Sequence, residues 1–371
     1  MDFDFSDDQQ QLRDAVRKWV DKAYTFERRR TIVKAGGFSR EAFRELAELG
    51  LCGLYVPEKF EGMGMGPVEG MVVMEELGRG MVLEPLNQSL IAAAVIEGYA
   101  TDAIKSNWLP KIASGEALVV LAYQERAGRY QLNVCAAKAT QSSTGWTLSG
   151  CKSVVPAGDQ ADAFLVPVTL DGKLALFLVE RSVSGVSTSG YGTQDGSRAA
   201  EVTLQNASAN LITPDGLAAL EYAVDIGIAA TCAEAVGVMD KTMAITADYM
   251  NTRKQFGVFI SSFQALRHRT ADMKMQLELA RSMSYYASLK LNAPAPERRA
   301  AMARAKYQLG NSMRFVGQQS VQLHGGIGVT DEYIGSHYFK KLTQMEISFG
   351  DTMHHLGEVA NRMQDTAGVF A

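Results

Sequence analysis

The sequence is poor in cysteine and proline, and it has no excess of positive charge. Its 371 residues include four cysteines, none in a CxxC pair or at metal-ligand spacing. Neither a disulfide framework nor a structural zinc site is therefore expected. Lys and Arg number 37 against 41 Asp and Glu, for a net charge of −4. Without a cationic surface to release counterions from a polyanion, nucleic-acid binding is not expected as a main function.

The chain also lacks the usual signs of export or membrane insertion. Its first residues, MDFDFSDDQQQLRD, are acidic and polar, unlike a signal or transit peptide. The longest apolar stretch, 226–238, contains Glu234 and is shorter than a bilayer-spanning helix. Reduced thiols and these absences together predict a cytoplasmic protein without membrane insertion.

Hydrophobic periodicity divides the chain into three blocks. Residues 1–115 have the repeat of amphipathic helices, and residues 116–212 have short β-branched runs bounded by turn residues. Residues 213–371 return to the helical repeat in long segments almost free of Gly and Pro. The length also exceeds what a single hydrophobic core supports. The pattern predicts a mainly α protein with a β middle domain: an N-terminal helical domain, a sandwich or small barrel, and a C-terminal helical bundle.

Capping residues and turn residues predict individual elements. Ser6 is expected to cap a first helix whose first turn holds Asp7 and Asp8. Further helices are predicted at 39–49, 217–254, 263–291 and 295–323, and strands at 117–123, 146–148, 163–170 and 175–179. The many Ala and Met positions of the long helices indicate close helix packing rather than a cofactor site.

Two segments at predicted helix ends could carry chemistry: RKQFG at 253–257 and QLHGGIG at 322–328. Gly257 and the Gly325-Gly326 pair could each simply end a helix, with Arg253 complementing the helix dipole. Alternatively, glycines let backbone N–H groups approach a pyrophosphate, and Arg253 offers a planar fork to its oxygens. No strand precedes either segment, so neither is a Rossmann motif. These residues alone leave both interpretations open.

Taken in order along the whole chain, several segments resemble the acyl-CoA dehydrogenase family. They are FSDDQ at 5–9, VPE at 56–58 with Gly62 and Gly64, EELGRG at 75–80, WLPKIASG at 108–115, and the two segments at 253–257 and 322–328. The resemblance implies an α-helical domain, a β-barrel-like middle domain and a four-helix bundle. Periodicity predicts the same division independently.

The resemblance also implies a cofactor, a substrate class and partners. FAD would bind at a subunit interface. Arg253, Gln255 and Phe256 would contact the diphosphate and adenine side of a flavin held mainly by a neighbouring subunit, and Gln322, Gly325 and Gly326 would contact the adenosine part from across the interface. The reaction would be α,β-dehydrogenation of an acyl-CoA thioester, in which a carboxylate takes the α proton and the flavin receives the β hydrogen as hydride. Electron transfer flavoprotein would re-oxidise the flavin.

The sequence departs from the family at both positions of the catalytic base. Most members carry the base in a Tyr-Glu-Gly-Thr segment, where this chain reads FGDT at 349–352, so that Gly350 takes the place of the Glu. A minority carry it on the first bundle helix, where this chain has Gly227. Asp351 and Asp225 are the nearest candidate bases, displaced by one and two residues. The second offset is about 200° around a helix, which predicts the wrong face.

Other polar residues near these positions have more ordinary expected roles. Glu346 and Glu234 are the remaining acids, expected to be solvated or paired. The resemblance places Thr352 and His354 beside the flavin as polar contacts. The five histidines lack the i, i+3 or i+4 pairing with a carboxylate that a helical metal site shows, so no metal site and no catalytic histidine are predicted.

A second departure lies in the β block. Where the family has Thr-Glu-Pro-x-x-Gly-Ser, with hydroxyls that touch the flavin ring and the substrate, this chain reads QERAGR at 124–129, ending in the bulky cation Arg129. The strand that carries a Trp and a Thr beside the ring reads KSVVP at 152–156, and Pro156 removes a backbone donor. The half of the site facing the isoalloxazine is thus altered, whereas the half facing adenine and pyrophosphate matches the family.

Three hypotheses follow. The first is a FAD-contacting, base-poor subunit of a heterotetrameric α2β2 acyl-CoA dehydrogenase, of the type that acts on bulky steroid side-chain or dicarboxylic acyl groups. The second is a self-associating, homotetrameric acyl-CoA flavoenzyme that uses Asp351 or Asp225, or that catalyses a different elimination such as carbon–sulfur cleavage. The third is a non-catalytic scaffold subunit without flavin.

Overall fold

The computed structural model describes residues 5–143 and 145–366, and the elements follow the order helices, strands, helices. The helices are α1 (Asp7–Lys22), α2 (Phe26–Lys34), α3 (Arg40–Glu48), α4 (Pro67–Gly80), α5 (Leu86–Tyr99), α6 (Asp102–Ala113), α7 (Gly216–Thr252), α8 (Gln264–Lys290), α9 (Ala295–His324), α10 (Ile334–Ile347) and α11 (Thr352–Thr366). The strands are β1 (Val119–Leu121), β2 (Lys138–Ser142), β3 (Gly145–Pro156), β4 (Ala163–Leu170), β5 (Lys173–Glu180), β6 (Val186–Gly192), β7 (Arg198–Thr213), β8 (Lys254–Gln255) and β9 (Val258–Phe259).

The first helix begins where the sequence predicts. The Ser6 hydroxyl accepts the amide hydrogen of Gln9 at 3.3 Å, and the Gln9 side chain accepts from the amide of Ser6 at 3.1 Å, which forms a capping box. The predicted helix at 39–49 is α3 and differs from the prediction by one residue at each end. Helix α2 was not predicted, because its nine residues bury only Arg29 and Ile32 and give little periodicity.

The middle strands close into a barrel, one of the two predicted architectures. Strand β4 pairs with β5, β5 with β7, β7 with β3, and β3 with β2, all antiparallel. The ring closes where β2 meets β4 in parallel, at the single pair Lys138 and Thr169. Strands β1 and β6 add to β4 and β7 at the outside of this ring. Buried apolar side chains fill the sheet, including Leu148, Phe164 and Phe177.

The strand predictions were right in position and incomplete in number. Strands β4 and β5 contain the predicted runs, and 146–148 is the start of the twelve-residue strand β3. Strands β2, β6 and β7 were not predicted. Nearly all residues of β2 and β6 are exposed or half-buried, so they have no apolar alternation, and β7 is interrupted at Asn206, where φ is 51°.

The long C-terminal helices agree with the helical period. Helices α8 and α9 match their predictions to within one residue at each end, and α7 ends two residues earlier than predicted. Most of their methionines lie between helices: Met239, Met250, Met273, Met302 and Met313 are buried, whereas Met275 is 53% exposed. Helix α7 is long and apolar enough to cross a membrane by composition, but its most apolar window is 94% buried, as in a core helix.

Contacts group the chain into two compact units rather than three blocks in series. One unit comprises the described parts of Met1–Arg28, Pro67–Val82 and Ile228–Ala371, and the other comprises Arg29–Gly66 and Leu83–Gly227. The first contains most of the bundle, and the second contains the barrel. The division into domains at residues 115 and 212 stays a prediction from element type.

Candidate functional site

The RKQFG segment forms a small hairpin after α7. Helix α7 ends at Thr252, and β8 and β9 pair through Gln255 and Val258. The two residues between these strands, Phe256 and Gly257, have φ of 53° and 81°. Tight two-residue hairpin turns of the I′ type require positive φ at both positions. The interpretation of Gly257 as a helix C-cap was therefore wrong, since this glycine allows the hairpin to turn.

This hairpin stands exposed at the end of the bundle. Every residue from 253 to 259 is exposed, and Phe256 is 91% exposed. Its ring contacts only Phe263 among the described aromatic rings, edge-on at a centroid distance of 6.2 Å. Arg253 is held by its backbone, whose amide donates to Tyr249 O at 2.8 Å and whose carbonyl accepts from the amide of Ile260 at 2.9 Å. The guanidinium and the aromatic tip are thus presented on an ordered backbone.

The QLHGGIG segment forms an open turn at the end of α9. Helix α9 stops at His324, and Gly325 follows with φ of 63°. A Cβ atom at Gly325 or Gly326 would have no atom within 4 Å, so space beside both residues is open. Gln322 is exposed next to them. The glycines end the helix, as one interpretation predicts. Their backbone is also accessible, so the contact with a ligand stays a prediction.

His324 brings the two segments to the same end of the bundle. Its ring stacks on Tyr249 at a centroid distance of 4.6 Å, one turn before Arg253. Its Nδ1 donates to Ser320 O at 2.8 Å, and its Nε2 accepts from the hydroxyl of Tyr333 at 2.9 Å. Burial lowers the pKa of His324, which keeps the ring neutral in this arrangement. The sequence placed His324 in the glycine turn but gave no signal of this connecting role.

The position of the usual catalytic Glu is closed in this chain. Gly350 is buried, with φ of 107°, a conformation that side chains rarely adopt. A Cβ atom there would lie 2.6 Å from Nε2 of His355 and 2.7 Å from Cδ2 of His354. The direction in which a base would project from residue 350 is therefore occupied by two imidazole rings.

The acids near that position are engaged in structural interactions. Asp351 accepts the amide hydrogen of His354 at 2.8 Å, and Glu346 accepts that of Thr352 at 3.0 Å, so both cap the first turn of α11. Glu234 forms a buried ion pair with Lys341 at 2.7 Å, as expected of a paired acid. Asp225 lies on α7, is fully buried and has interactions of its own.

The two predicted polar contacts of the flavin differ in their surroundings. Thr352 is buried, its hydroxyl donates to Glu346, and Gly310 lies so close that a Cβ there would clash with this hydroxyl. His354 is half-buried, and burial lowers its pKa. Next to it, Nε2 of His355 donates to Phe349 O at 3.0 Å, and burial lowers the pKa of His355 to about 3. Within the described residues its buried Nδ1 has no hydrogen-bond partner.

The altered β segments lie side by side in the barrel unit. The amide of Ser153 donates to Gln124 O at 2.8 Å, which joins the 124–129 and 152–156 segments. Two residues of these segments, Lys152 and Glu125, form a buried ion pair at 2.6 Å. Burial would raise the pKa of Glu125, but hydrogen bonds from Lys152 and from backbone amides lower it overall. Arg129 is exposed, with φ of 47°, and lies over the ring of Tyr130 at 5.4 Å.

No group of three or more His, Cys, Asp or Glu side chains in the described part of the chain could hold a metal ion. The chemistry that the described geometry offers is instead that of an anion-binding surface. It combines an exposed Arg, an exposed aromatic ring and two glycines with open backbone at one end of the bundle. Such donors can bind the oxygens of a phosphate or pyrophosphate, whereas residue 350 is a glycine and supplies no carboxylate.

Comparison with known proteins gives consistent matches over the chain. The profile of the acyl-CoA dehydrogenase N-terminal domain matches residues 6–116, and that of the C-terminal domain matches residues 214–364. Acyl-CoA dehydrogenase FadE27 of Mycobacterium tuberculosis is 26% identical over 378 residues, covering 99% of this chain and 100% of that protein.

Of two solved structures with similar folds, one is named as a steroid ACAD and the other as a complex of two proteins. A single-residue variant of the Tcur3481-Tcur3483 steroid ACAD has a TM-score of 0.90 at 29% identity, covering 97% of this chain and 99% of that one. The ChsE4-ChsE5 complex from Mycobacterium tuberculosis has a TM-score of 0.89 at 26% identity, covering 98% of this chain and 99% of that one. Each match extends over the helical regions and over the barrel region of this chain.

Proposed function

This chain belongs to the acyl-CoA dehydrogenase family, whose members are FAD-dependent oxidoreductases, and from this premise we propose that it is the base-poor, FAD-contacting subunit of a heteromeric acyl-CoA dehydrogenase. The observation that carries the proposal is the geometry of Gly350. Its backbone conformation and the two imidazoles beside it leave no room for the family's usual Glu. The carboxylate that removes the α proton would then come from a second subunit.

We propose that the exposed end of the bundle contacts the diphosphate and adenine side of FAD. Arg253 would pair with the diphosphate through its planar fork, and the open backbone at Gly325 and Gly326 would let N–H groups reach the adenosine part. Phe256, 91% exposed here, would be covered by the adenine side of the nucleotide or by the subunit that carries it. When bound, the flavin supplies the acceptor for the β hydrogen of the acyl group. Gln255, Gln322 and His354 would add polar contacts.

The heteromeric part of the proposal is supported by the named relatives. One similar structure is named as a steroid ACAD with two protein names, the other as the ChsE4-ChsE5 complex, and each match covers nearly all of this chain. A bulky acyl-CoA, such as a steroid side-chain thioester, is therefore the proposed substrate class. Electron transfer flavoprotein is the proposed electron acceptor, and the cytoplasm the proposed location, because all four cysteines are free thiols.

A self-sufficient enzyme would need Asp351 or Asp225 as its base. Asp351 already caps α11, and its side chain is one methylene shorter than Glu. Asp225 is fully buried on α7. A general base must reach the substrate within hydrogen-bond distance, and neither environment favours this.

The experiment compares this chain purified alone with the chain co-expressed with a second acyl-CoA dehydrogenase subunit that carries the family's catalytic Glu. The proposal expects FAD and acyl-CoA dehydrogenation in the complex, and little of either in the chain alone. Full FAD content together with turnover by this chain alone would overturn it. A complex that assembles without flavin would favour a scaffold role instead.

A further inference from the structure

A buried lysine lies directly behind the closed turn. Lys306 projects from α9, is 0% exposed, and directs its ammonium to the segment that joins α10 to α11. Its Nζ donates to three backbone carbonyls: Met345 O at 3.1 Å, Glu346 O at 2.7 Å and Gly350 O at 3.0 Å. An ammonium group has three hydrogens, so each of them is used.

The three acceptors explain why a lysine is suited to this place. Met345 and Glu346 lie in the last turn of α10, where carbonyls lack i+4 amide partners, and Met345 O also accepts the amide hydrogen of Ser348 at 3.3 Å. A cation at a helix C-terminus also complements the helix dipole. Gly350 lies beyond the helix, in the left-handed conformation that closes the base position. One side chain from α9 thus ties the end of α10 to the glycine that precedes α11.

The three carbonyl acceptors and a few charged neighbours stabilise the protonated form of Lys306. Burial lowers its pKa to about 8, with the thiol of Cys232 on α7 and the carboxylates of Glu346 and Asp351 acting in the opposite direction. At pH 7 the side chain is therefore an ammonium that donates all three hydrogens. Lys306 forms no ion pair at bonding distance in the described residues, so the carbonyls are its direct partners.

The same turn leads into the residues expected to face the cofactor. Thr352 and His354 lie in the first turn of α11, shortly after Gly350, and their backbone amides donate to the carboxylates of Glu346 and Asp351. Any shift of the Gly350 carbonyl would move this first turn. His355, whose imidazole blocks the base position, also bonds to the turn through Phe349 O.

We infer that Lys306 is a positioning residue of the flavin site: its ammonium clamps the α10–α11 turn, holds Gly350 in its closed conformation and sets the placement of Thr352 and His354. The inference rests on the proposed function, because it assigns these two residues to the flavin side. It adds a residue about forty positions away in sequence to the machinery of the site.

The test uses Lys306→Gln in the full chain and in the co-expressed complex, with Lys290→Gln as the matched control. Lys290 is on α8 and pairs with surface Glu297. At pH 7, backbone amides of residues 348–356 are expected to exchange hydrogen about tenfold faster or more in Lys306→Gln, because local opening costs less. In the complex, FAD affinity is expected to fall about fivefold or more, with a changed visible circular dichroism spectrum of the flavin.

Lys306→Arg keeps the charge and several donors. It is expected to retain part of the protection of amides 348–356 from exchange and part of the FAD affinity. This variant is measured in place of Lys306→Gln if the latter does not fold. Unchanged exchange at 348–356 would overturn the clamp. Faster exchange with unchanged FAD affinity and flavin spectrum would overturn the positioning role. If the unmodified complex binds no FAD, the proposed function fails, and the exchange experiment still reports on the clamp by itself.

Discussion

Two glycine-containing regions of the bundle unit behave in opposite ways. At the end of α9, Gly325 and Gly326 border open space, and the hairpin beside them exposes an arginine and a phenylalanine. In the α10–α11 turn, Gly350 is buried against two imidazoles and tied to Lys306. The first region is accessible to a ligand, whereas the second is closed by the chain's own side chains. Glycine thus leaves the backbone accessible in one place and takes the position of the family's usual Glu in the other.

The largest effect is expected from restoring the family's residue at the closed position. Gly350→Glu should lower the free energy of unfolding by about 3–5 kcal/mol, because a side chain there adopts a strained φ and overlaps His354 and His355. Urea unfolding measures the change. Turnover by the chain alone should remain absent.

Gly172→Glu is the matched control for this substitution. Gly172 has φ of 79° in the turn between β4 and β5, with no atom within 4 Å of a Cβ. It should lose only about 1 kcal/mol, from backbone strain. Equal losses at both positions would show that the imidazoles do not close the site.

Charge reversal on the open side should act on binding rather than folding. Arg253→Glu should weaken FAD binding about 100-fold, about 2.7 kcal/mol, because it replaces a phosphate-pairing cation with an anion. Arg44→Glu, an exposed arginine on α3, is the control and should leave FAD affinity unchanged. Flavin fluorescence titration of the complex measures both. If Arg253→Glu and the unmodified complex bind FAD with equal affinity, the hairpin does not contact the cofactor.

The free energy of unfolding should also depend on pH, because His355 is buried in the closed region. The folded pKa of His355 is lowered to about 3, below its unfolded value of about 6.5, so the unfolded chain binds the proton first. Stability is therefore fully present above pH 6.5 and is lost as the pH falls toward 3, at about 1.4 kcal/mol per pH unit for one proton.

His355→Asn removes this group, and His268→Asn removes an exposed histidine of α8 as the control. Urea unfolding between pH 4 and 6.5 should show a slope lower by about one proton for His355→Asn only. An unchanged slope would mean that His355 is accessible to protons in the folded chain.

The smallest change in stability is expected at Gly326, where a substitution should affect FAD binding and leave folding almost unchanged. Gly326→Ala should change the free energy of unfolding by less than about 0.5 kcal/mol, because its Cβ meets no atom within 4 Å. It should weaken FAD binding about tenfold, since a methyl group would hold the ligand away from the backbone. Gly98→Ala, also in open space, is the control for affinity. A stability loss without an affinity loss would contradict the open assignment.

Much of the fold followed from the sequence, because helices and buried strands repeat at fixed periods. The bounds of α8 and α9 came within one residue, since their helical period is long, Pro294 separates them and Gly325-Gly326 follow α9. The exposed strands β2 and β6 escaped prediction, because neither face of them is buried and no alternation appears. The hairpin at 254–259 was read as a helix end for a related reason, since two-residue strands have no period.

The two segments of the candidate site could be selected from the sequence, but the blocking of position 350 could not. The segments at 253–257 and 322–328 could be paired because both follow long helices of one bundle. The clamp by Lys306 could not, because its acceptors are backbone carbonyls and these have no residue signature. The blocking of position 350 likewise depends on φ and on where His355 points, which the residue types leave open.

The central claim is that the base acting on the substrate lies outside this chain. It is tested most directly by single-turnover reduction of the flavin in the assembled complex carrying Asp225→Asn and Asp351→Asn together, mixed anaerobically with an acyl-CoA substrate. The account predicts a reduction rate within about threefold of the unmodified complex, because neither carboxylate takes the α proton. A fall of about 1,000-fold or more would contradict it and place the base in this chain.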